Sequence, residues 1–282
     1  MAPSLEEARR HFAEELRVTA HMRNGRLIDA FAAVPREKFA GPGPWRILNS
    51  WDGYWTTPDN EPRWLYHNVL VALDETRRLN IGEPNLWAYH LDRIGISEGE
   101  RVLQIGAGSG YFTAILAEMV GPKGRVDAIE IDEPLAARAT HNLESWPAAA
   151  VHQGNAAVPI AGKWDVIVAF AGATAPQGWW LDALADGGRL LLPMTAADFM
   201  ITGFMLRLDR RGDELAARSL GRVAFYPCIG ARTPEGEAAL RQALSDTVGQ
   251  QALRCLRRAP HDKDESCWLH GDGWCLSKRT LH

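Results

Sequence analysis

The segment from Arg101 to Ile131 constrains this chain more than any other. It reads RVLQIGAGSGYFTAILAEMVGPKGRVDAIEI. An apolar run, Val102–Ile105, meets glycines at three alternate positions, Gly106, Gly108 and Gly110. A helical pattern follows over Tyr111–Met119, then a second apolar run that ends at the acid Glu130. Strand, glycine turn, helix, strand and carboxylate, in that order, is how an open α/β sheet offers a binding turn at the carboxyl ends of its strands.

The alternation continues downstream. Strands are predicted at Val102–Ile105, Arg125–Ile129, Ala149–His152, Asp165–Phe170 and Arg189–Leu192, with helices at Tyr111–Met119, Pro134–Leu143 and Gly178–Leu184. Asp132 is placed to cap the second helix, with Pro134 in its first turn. This predicts an α/β fold: a doubly wound, mainly parallel, seven-stranded Rossmann-like sheet with a helical N-terminal segment and a small C-terminal extension. Phe199–Leu208 and Arg222–Tyr226 read as an antiparallel edge pair around the turn Arg210–Asp213.

Residues 1–40 read as helical. Ser4 and Glu7 have capping-box spacing, and the apolar face of Leu27, Ile28 and Phe31 breaks at Val34–Pro35. Residues 41–65 are dense in Gly, Pro and Trp and read as irregular loop. Residues 66–79 fit neither period. Asn80–Pro84 reads as a turn, and Asn85–Ile94 as a helix with Leu86, Tyr89 or His90, and Ile94 on its apolar side. The tail offers a helix at Glu235–Val248 and strands near Ala252–Leu256 and Trp274–Ser277. Three segments are expected: 1–95, helices and loops covering the active site; 96–230, the cofactor-binding domain; and 231–282, the extension.

At 282 residues the chain can bury a core without staples. A net charge of −4 and a pI near 6.1 give no basic footprint for nucleic acid. No apolar run approaches the roughly 18–20 residues of a membrane span, and the acidic N-terminus is not a secretory signal, so a cytoplasmic protein is expected. The cysteines, Cys228, Cys255, Cys267 and Cys275, form no C-x-x-C pair and read as reduced, partly buried thiols. Cys267, His270, Cys275 and His261 can be imagined as zinc ligands, but their spacing matches no standard pattern; no metal is expected.

The glycine spacing narrows the ligand. A dinucleotide fingerprint is G-x-G-x-x-G, whereas here the third glycine comes one residue early, and no G-x-x-x-x-G-K motif is present. S-adenosylmethionine suits the turn better: it carries adenosine and an amino-acid tail without phosphate. Close backbone approach still needs glycine, and Glu130 can accept from both ribose hydroxyls.

Several ordered motifs resemble the protein-L-isoaspartate O-methyltransferase family over roughly residues 22–195. RLIDAFAAVPREKF (26–39) is similar to its N-terminal helix and V-P-R-E-x-F signature. NIGEPNLWAYHLD (80–92) resembles its T-I-S-x-P segment, VLQIGAGSGYFTAILAEMVG (102–121) its V-L-E-I-G-T-G-S-G-Y-x-T-A run, GRVDAIEI (124–131) the acid-bearing strand, and GGRLLLPM (187–194) its G-G-R-L-x-x-P run. The resemblance implies an S-adenosylmethionine-dependent methyltransferase acting on a peptide or protein. It implies that Gly106, Gly108 and Gly110 line the methionine side, with Gln104, Ala107 and Ser109 also binding the cofactor. Glu130 would hold the ribose, Ile131 and Leu135 would pack on the adenine, and Gly154, Asn155 and Ala156 would stand at its amino edge. The turn with Ile81, Gly82 and Asn85, and the neighbouring Trp87, would meet the acceptor. Three positions depart from the family: Gln104 replaces Glu, Asn155 replaces Asp, and Gly82 replaces Ser. The first two soften cofactor binding; the third removes a hydroxyl from the acceptor site.

If the acceptor is a carboxylate, it is already ionised at pH 7, since its reference pKa is about 4. No general base is then needed, and alignment and partial drying carry the reaction. The chain accordingly offers no Ser-His-Asp or Cys-His constellation; Tyr89 and His90 near the expected site read as core or solvated. Trp45, Trp51, Trp55, Trp64 and Trp87 form either a packed lid or an aromatic acceptor cleft. The expected function is O-methylation of an isoaspartyl or aspartyl carboxylate, as general repair or on one dedicated peptide. A cofactor binder with weak or no activity, and a small-molecule methyltransferase on the same fold, remain the alternatives.

Overall fold

The computed structural model describes residues 4–49, 53–196 and 203–281. Local chemistry sets the first helices. α1 (Leu5–Thr19) starts at Ser4, whose hydroxyl accepts from the Glu7 N–H while the Glu7 carboxylate accepts from the Ser4 N–H, which is the expected capping box. α2 (Gly25–Ala33) is capped by Asn24 and ends at Val34, since Pro35 disfavours helix in the residue before it. α3 (Arg36–Ala40) follows directly.

Strands form both in residues 41–65, read as irregular loop, and in the stretch after it that fitted neither period. β1 (Arg46–Asn49), β2 (Gly53–Thr56), β3 (Leu70–Asp74) and β4 (Leu79–Asn80) pair antiparallel in the order β2-β1-β3-β4. Ile47 lies opposite Trp55 on one side and Val71 on the other, so cross-strand apolar pairing holds together a segment whose Gly and Pro content suggested none. Trp51 lies outside the described residues. α4 (Pro84–Ile94) opens on Pro84 and closes on Gly95 in the left-handed conformation. Its buried face is Trp87, Ala88, His90, Leu91 and Ile94; of the expected positions His90 and Ile94 are on it, while Leu86 and Tyr89 are half-buried.

From here the expected alternation holds. It runs β5 (Arg101–Ile105), α5 (Tyr111–Val120), β6 (Arg125–Glu130), α6 (Glu133–Asn142), β7 (Ala149–Gln153), β8 (Trp164–Ala169), α7 (Gly178–Ala183) and β9 (Leu184–Thr195). The edge hairpin is displaced. β10 (Gly203–Arg211) turns at Gly212–Asp213 into β11 (Glu214–Val223), where sequence suggested Arg222–Tyr226. Residues 199–202 of the first expected strand lie outside the described residues. The tail helix splits into α8 (Pro234–Ala243) and α9 (Thr247–Gln251), because the Asp246 carboxylate accepts from the Gly249 N–H and starts a new helix. Three short strands close the chain: β12 (Cys255–Arg257), an unforeseen β13 (Cys267–Gly271), and β14 (Trp274–Ser277).

The chain divides into two compact units that cut across the three consecutive segments expected. The first comprises Met1–Glu100 and Ala107–Gln153. It holds the small sheet, the parallel β6–β7 pair and helices α1–α6. α5 is buried at every position except Glu118, as an apolar helix packed by both α2 and β6 must be. The second unit comprises Arg101–Gly106 and Gly154–His282. Its strands run β13-β14-β12-β11-β10-β9-β8-β5, parallel across β5, β8 and β9 and antiparallel beyond. The α/β class with a parallel core stands, and β12–β14 carry the sheet past seven strands. Among the described residues no helix is long and apolar enough to cross a membrane.

One buried cation organises the first unit. Arg36 is fully buried. Its Nη1 donates to the carbonyls of Leu65 (2.8 Å) and His67 (3.1 Å), and its Nη2 to those of Val69 (2.7 Å) and Gly82 (3.4 Å). A planar guanidinium can serve all four carbonyls from its two Nη atoms, whereas an ammonium has three donors on a single nitrogen. Arg36→Met is therefore expected to lower unfolding free energy by about 3 kcal/mol, by orphaning buried carbonyls. Arg36→Lys should restore only part. Urea unfolding checks both, and a loss below about 1 kcal/mol for Arg36→Met would contradict the assignment.

Candidate active site

β5 delivers its last residues to the glycine turn, where Gly106, Gly108 and Gly110 have φ of +86°, +56° and +92°. This left-handed region suits glycine, yet two of the three serve different ends. A Cβ at Gly110 would lie 3.2 Å from the Leu143 side chain and 3.4 Å from Ala139 Cα, so this glycine allows α5 to pack on α6. A Cβ at Gly108 would meet only Leu73, at 3.8 Å, so its bare face is open to an approaching ligand. Gly110 starts α5 with no side-chain cap, which leaves helix N–H groups for an anionic group.

Glu130 ends β6 and is 7% exposed. Its Oε2 accepts from the Gly108 N–H at 2.7 Å and its Oε1 from the Asp132 N–H at 3.0 Å. Each oxygen keeps a further lone pair, enough for two ribose hydroxyls. Burial raises the Glu130 pKa, opposed by these N–H donors. Asp132 caps α6 through the Leu135 N–H at 3.0 Å and pairs with Arg77, which also holds Asp74 at 2.7 Å. This Arg77 tie between the β3–β4 turn and the start of α6 carried no sequence signal. Ile131 is 39% exposed and Leu135 half-buried, which leaves apolar surface beside the carboxylate. The Ser109 carbonyl accepts from Asn142 Nδ2 at 2.9 Å, and its buried hydroxyl has no protein partner.

The remaining cofactor candidates lie in the second unit, with Gly106. Gln104 is 1% exposed; its Nε2 donates to the Gly106 carbonyl at 3.0 Å, a bond that Glu could not make. Its Oε1 has no protein partner. Asn155 Oδ1 accepts from the Ala157 N–H at 2.8 Å and keeps one lone pair. The Ala156 carbonyl accepts from both Trp179 and Trp180 Nε1 at 3.0 Å, and Gly154 has open space where a Cβ would be. Paired glycines in left-handed conformation, an open Gly108 and a buried, incompletely used carboxylate fit an adenosine-bearing amino acid.

The acceptor candidates separate. Gly82 has φ +98°, and a Cβ there would lie 3.0 Å from Phe112 and 3.2 Å from Trp87 Nε1. Ile81 is 7% exposed, with its N–H on the Val71 carbonyl. The Asn85 side chain accepts from Thr19 Oγ1 at 2.8 Å, which commits it to α1. Trp87 and Trp45 are core residues, 1% and 5% exposed, so the aromatic-cleft idea fails for both. Trp55 and Trp64 are half-buried and meet edge to face at 6.0 Å. His90 is buried, and burial, with Arg93 adding to it, pushes its pKa down to about 4, which makes it a neutral core residue. Tyr89 lies under the Arg93 guanidinium.

Sequence comparison agrees with this geometry. The sequence model described as protein-L-isoaspartate(D-aspartate) O-methyltransferase matches residues 57–233. A protein-L-isoaspartate O-methyltransferase of Roseiflexus sp. (strain RS-1) is 30% identical over 220 residues, which cover 77% of this chain and 89% of that protein. Protein-L-isoaspartate O-methyltransferase 2 of Pelobacter propionicus is 35% identical over 215 residues, covering 74% and 85%. Two solved structures share the fold. One protein-L-isoaspartate O-methyltransferase has a TM-score of 0.64 at 22% identity, over 78% of this chain and 65% of that one. The other, from Plasmodium falciparum in complex with S-adenosyl-L-homocysteine, has a TM-score of 0.62 at 17% identity, over 79% and 98%. The chain belongs to the protein-L-isoaspartate(D-aspartate) O-methyltransferase family.

Proposed function

We propose that this protein is an S-adenosylmethionine-dependent O-methyltransferase that esterifies an isoaspartyl or aspartyl carboxylate in a peptide or protein. The observation that carries the reading is the Glu130 carboxylate. It is buried, fixed by the Gly108 and Asp132 N–H groups, and left with unused lone pairs beside an open glycine. S-adenosylmethionine supplies, when bound, a methyl group on a positively charged sulfur. Glu130 accepts from the ribose hydroxyls, and Ile131 and Leu135 cover the adenine. Asn155 accepts from its amino group without charge. Gln104, Gly106, Ala107, Gly108, Ser109 and Gly110 border the amino-acid end, and Gly154 and Ala156 flank Asn155.

The acceptor carboxylate needs no base at neutral pH. His90, buried and neutral, accordingly has no part in the chemistry. Ile81 and Gly82 face the acceptor, and Arg36 sets their turn by holding the Gly82 carbonyl. Serine does not fit this turn as it stands: a Cβ at Gly82 is crowded by Phe112 and Trp87 in a left-handed backbone. The missing hydroxyl is thus built into the local backbone, which supports a dedicated peptide acceptor over broad repair. Residues 231–282 form an extension that lies almost wholly outside the family match.

Incubation with methyl-labelled donor and an isoaspartyl peptide, against its aspartyl twin, tests the reading. Base-labile label on a peptide carboxylate is expected; binding of donor without label on either peptide, or on any candidate partner peptide, would contradict it. Glu130→Gln keeps the shape and removes the charge, and calorimetry should show donor affinity about tenfold weaker, or about 1.4 kcal/mol. Because burial raises the Glu130 pKa, wild-type affinity should begin to fall on acidification at a higher pH than for an ordinary carboxylate. Protonation removes an acceptor from the ribose, so Glu130→Gln should flatten this dependence. Gly82→Ser should lower stability by about 1–3 kcal/mol through backbone strain, seen in thermal unfolding, without raising isoaspartyl turnover.

A further inference from the structure

The second unit brings together four side chains that the proposed reaction leaves unused. His261 lies in the loop between β12 and β13, Cys267 and His270 lie on β13, and Cys275 lies on β14. One ligand atom from each falls within 4.8 Å of all the others. No disulfide involves either cysteine, and Cys275 is fully buried.

The backbone explains how they meet. Residues three apart on a regular strand point to opposite faces. Between Cys267 and Leu269, however, the register shifts: Cys267 pairs with Ser277 and Leu269 with Leu276. That bulge adds one residue to β13 and turns Cys267 to the side of His270. Cys275 pairs directly with His270 across the ladder, and cross-strand partners share a face.

The His261 tautomer is also set. His261 Nδ1 donates to the Ala259 carbonyl at 2.8 Å, which leaves Nε2 as a lone-pair donor, 3.5 Å from Cys267 Sγ. A tetrahedral zinc ion with Zn–N near 2.0 Å and Zn–S near 2.3 Å separates nitrogen from sulfur by about 3.5 Å. His270 Nδ1 is buried and has no protein partner. The Asp264 N–H donates to Cys267 Sγ at 3.4 Å, as outer groups do for a ligating thiolate. The nearby Asp264 carboxylate, 3.5 Å from the same sulfur, is balanced by Arg257 at 3.1 Å.

We propose that His261 Nε2, Cys267 Sγ, His270 Nδ1 and Cys275 Sγ form a structural zinc site that ties the loop, β13 and β14 together. Binding replaces two S–H bonds with two Zn–S bonds, forms two Zn–N bonds and releases two protons, so the assembled centre is neutral. All four positions are filled by protein, which makes the site closed and structural. The ion fastens the edge strand of an extension made of three short strands. The site stands apart from the methyl-transfer reading.

The full-length chain, purified under reductant and dialysed against Zn(II) or Co(II) alone, tests this. One metal per chain by mass spectrometry is expected, and the Co(II) form should show thiolate-to-cobalt charge transfer with tetrahedral d–d bands. His261→Ala, in a half-buried loop, and Cys275→Ser should weaken metal more than about a hundredfold, beyond the effect of losing an outer-shell group. Cys228→Ser should retain it. Chelation should lower the wild-type melting temperature and leave that of His261→Ala unmoved. Metal content in the wild type no higher than in Cys275→Ser, an octahedral cobalt spectrum, or a Cys267–Cys275 disulfide in the freshly reduced protein would overturn the proposal.

Discussion

Much of the proposed chemistry depends on one buried carboxylate. Glu130 joins the glycine turn to the start of α6 through two backbone N–H groups. Taking a carboxylate out of water is unfavourable unless hydrogen bonds compensate. Here they do so in part, and the raised pKa records the remainder. In the proposed complex, two ribose hydroxyls on the free lone pairs would complete the compensation, so the bonds that hold the turn would also prepare it for the cofactor. Asp132 extends the arrangement by capping α6 and gripping Arg77.

A second constraint governs the turn proposed to meet the acceptor. The V-P-R-E-x-F signature carries two charges in a row. In the fold its arginine is the most deeply buried cation of the first unit, and its glutamate receives the Tyr66 hydroxyl. Phe39 of the same signature is fully buried against Tyr111 and Trp146, at 5.7 and 5.6 Å. Arg36 spans carbonyls from Leu65 to Gly82. The position of the Ile81–Gly82 turn is therefore set from α3, far away in sequence, and Gly82 fits it because Phe112 and Trp87 leave no room for a Cβ.

Features governed by near neighbours in sequence were legible in it. The Ser4–Glu7 box, the Asp132 cap, the strand–turn–helix at Gly106–Gly110 and the acid at Glu130 depend on residues a few positions apart, and all are found in place. Features that depend on distant pairing were hidden. β1 and β3 exist because Ile47 finds Val71, a partner no local pattern announces. Trp87 and Leu91 are buried on α4 beside the expected His90 and Ile94, whereas Leu86, which the apolar spacing also pointed to, is only half-buried. Asp246 split the tail helix through a hydrogen bond that composition does not reveal. The His261, Cys267, His270 and Cys275 spacing matched no metal pattern, and the bulge that turns Cys267 to the side of His270 cannot be read from it.

The most direct measurement is a crystal structure of the chain with S-adenosylhomocysteine. The account predicts both ribose hydroxyls on the Glu130 carboxylate, with the Gly108 and Asp132 N–H bonds retained and the amino-acid end over Gly108. A ligand bound elsewhere, or one whose ribose makes no contact with Glu130, would contradict it.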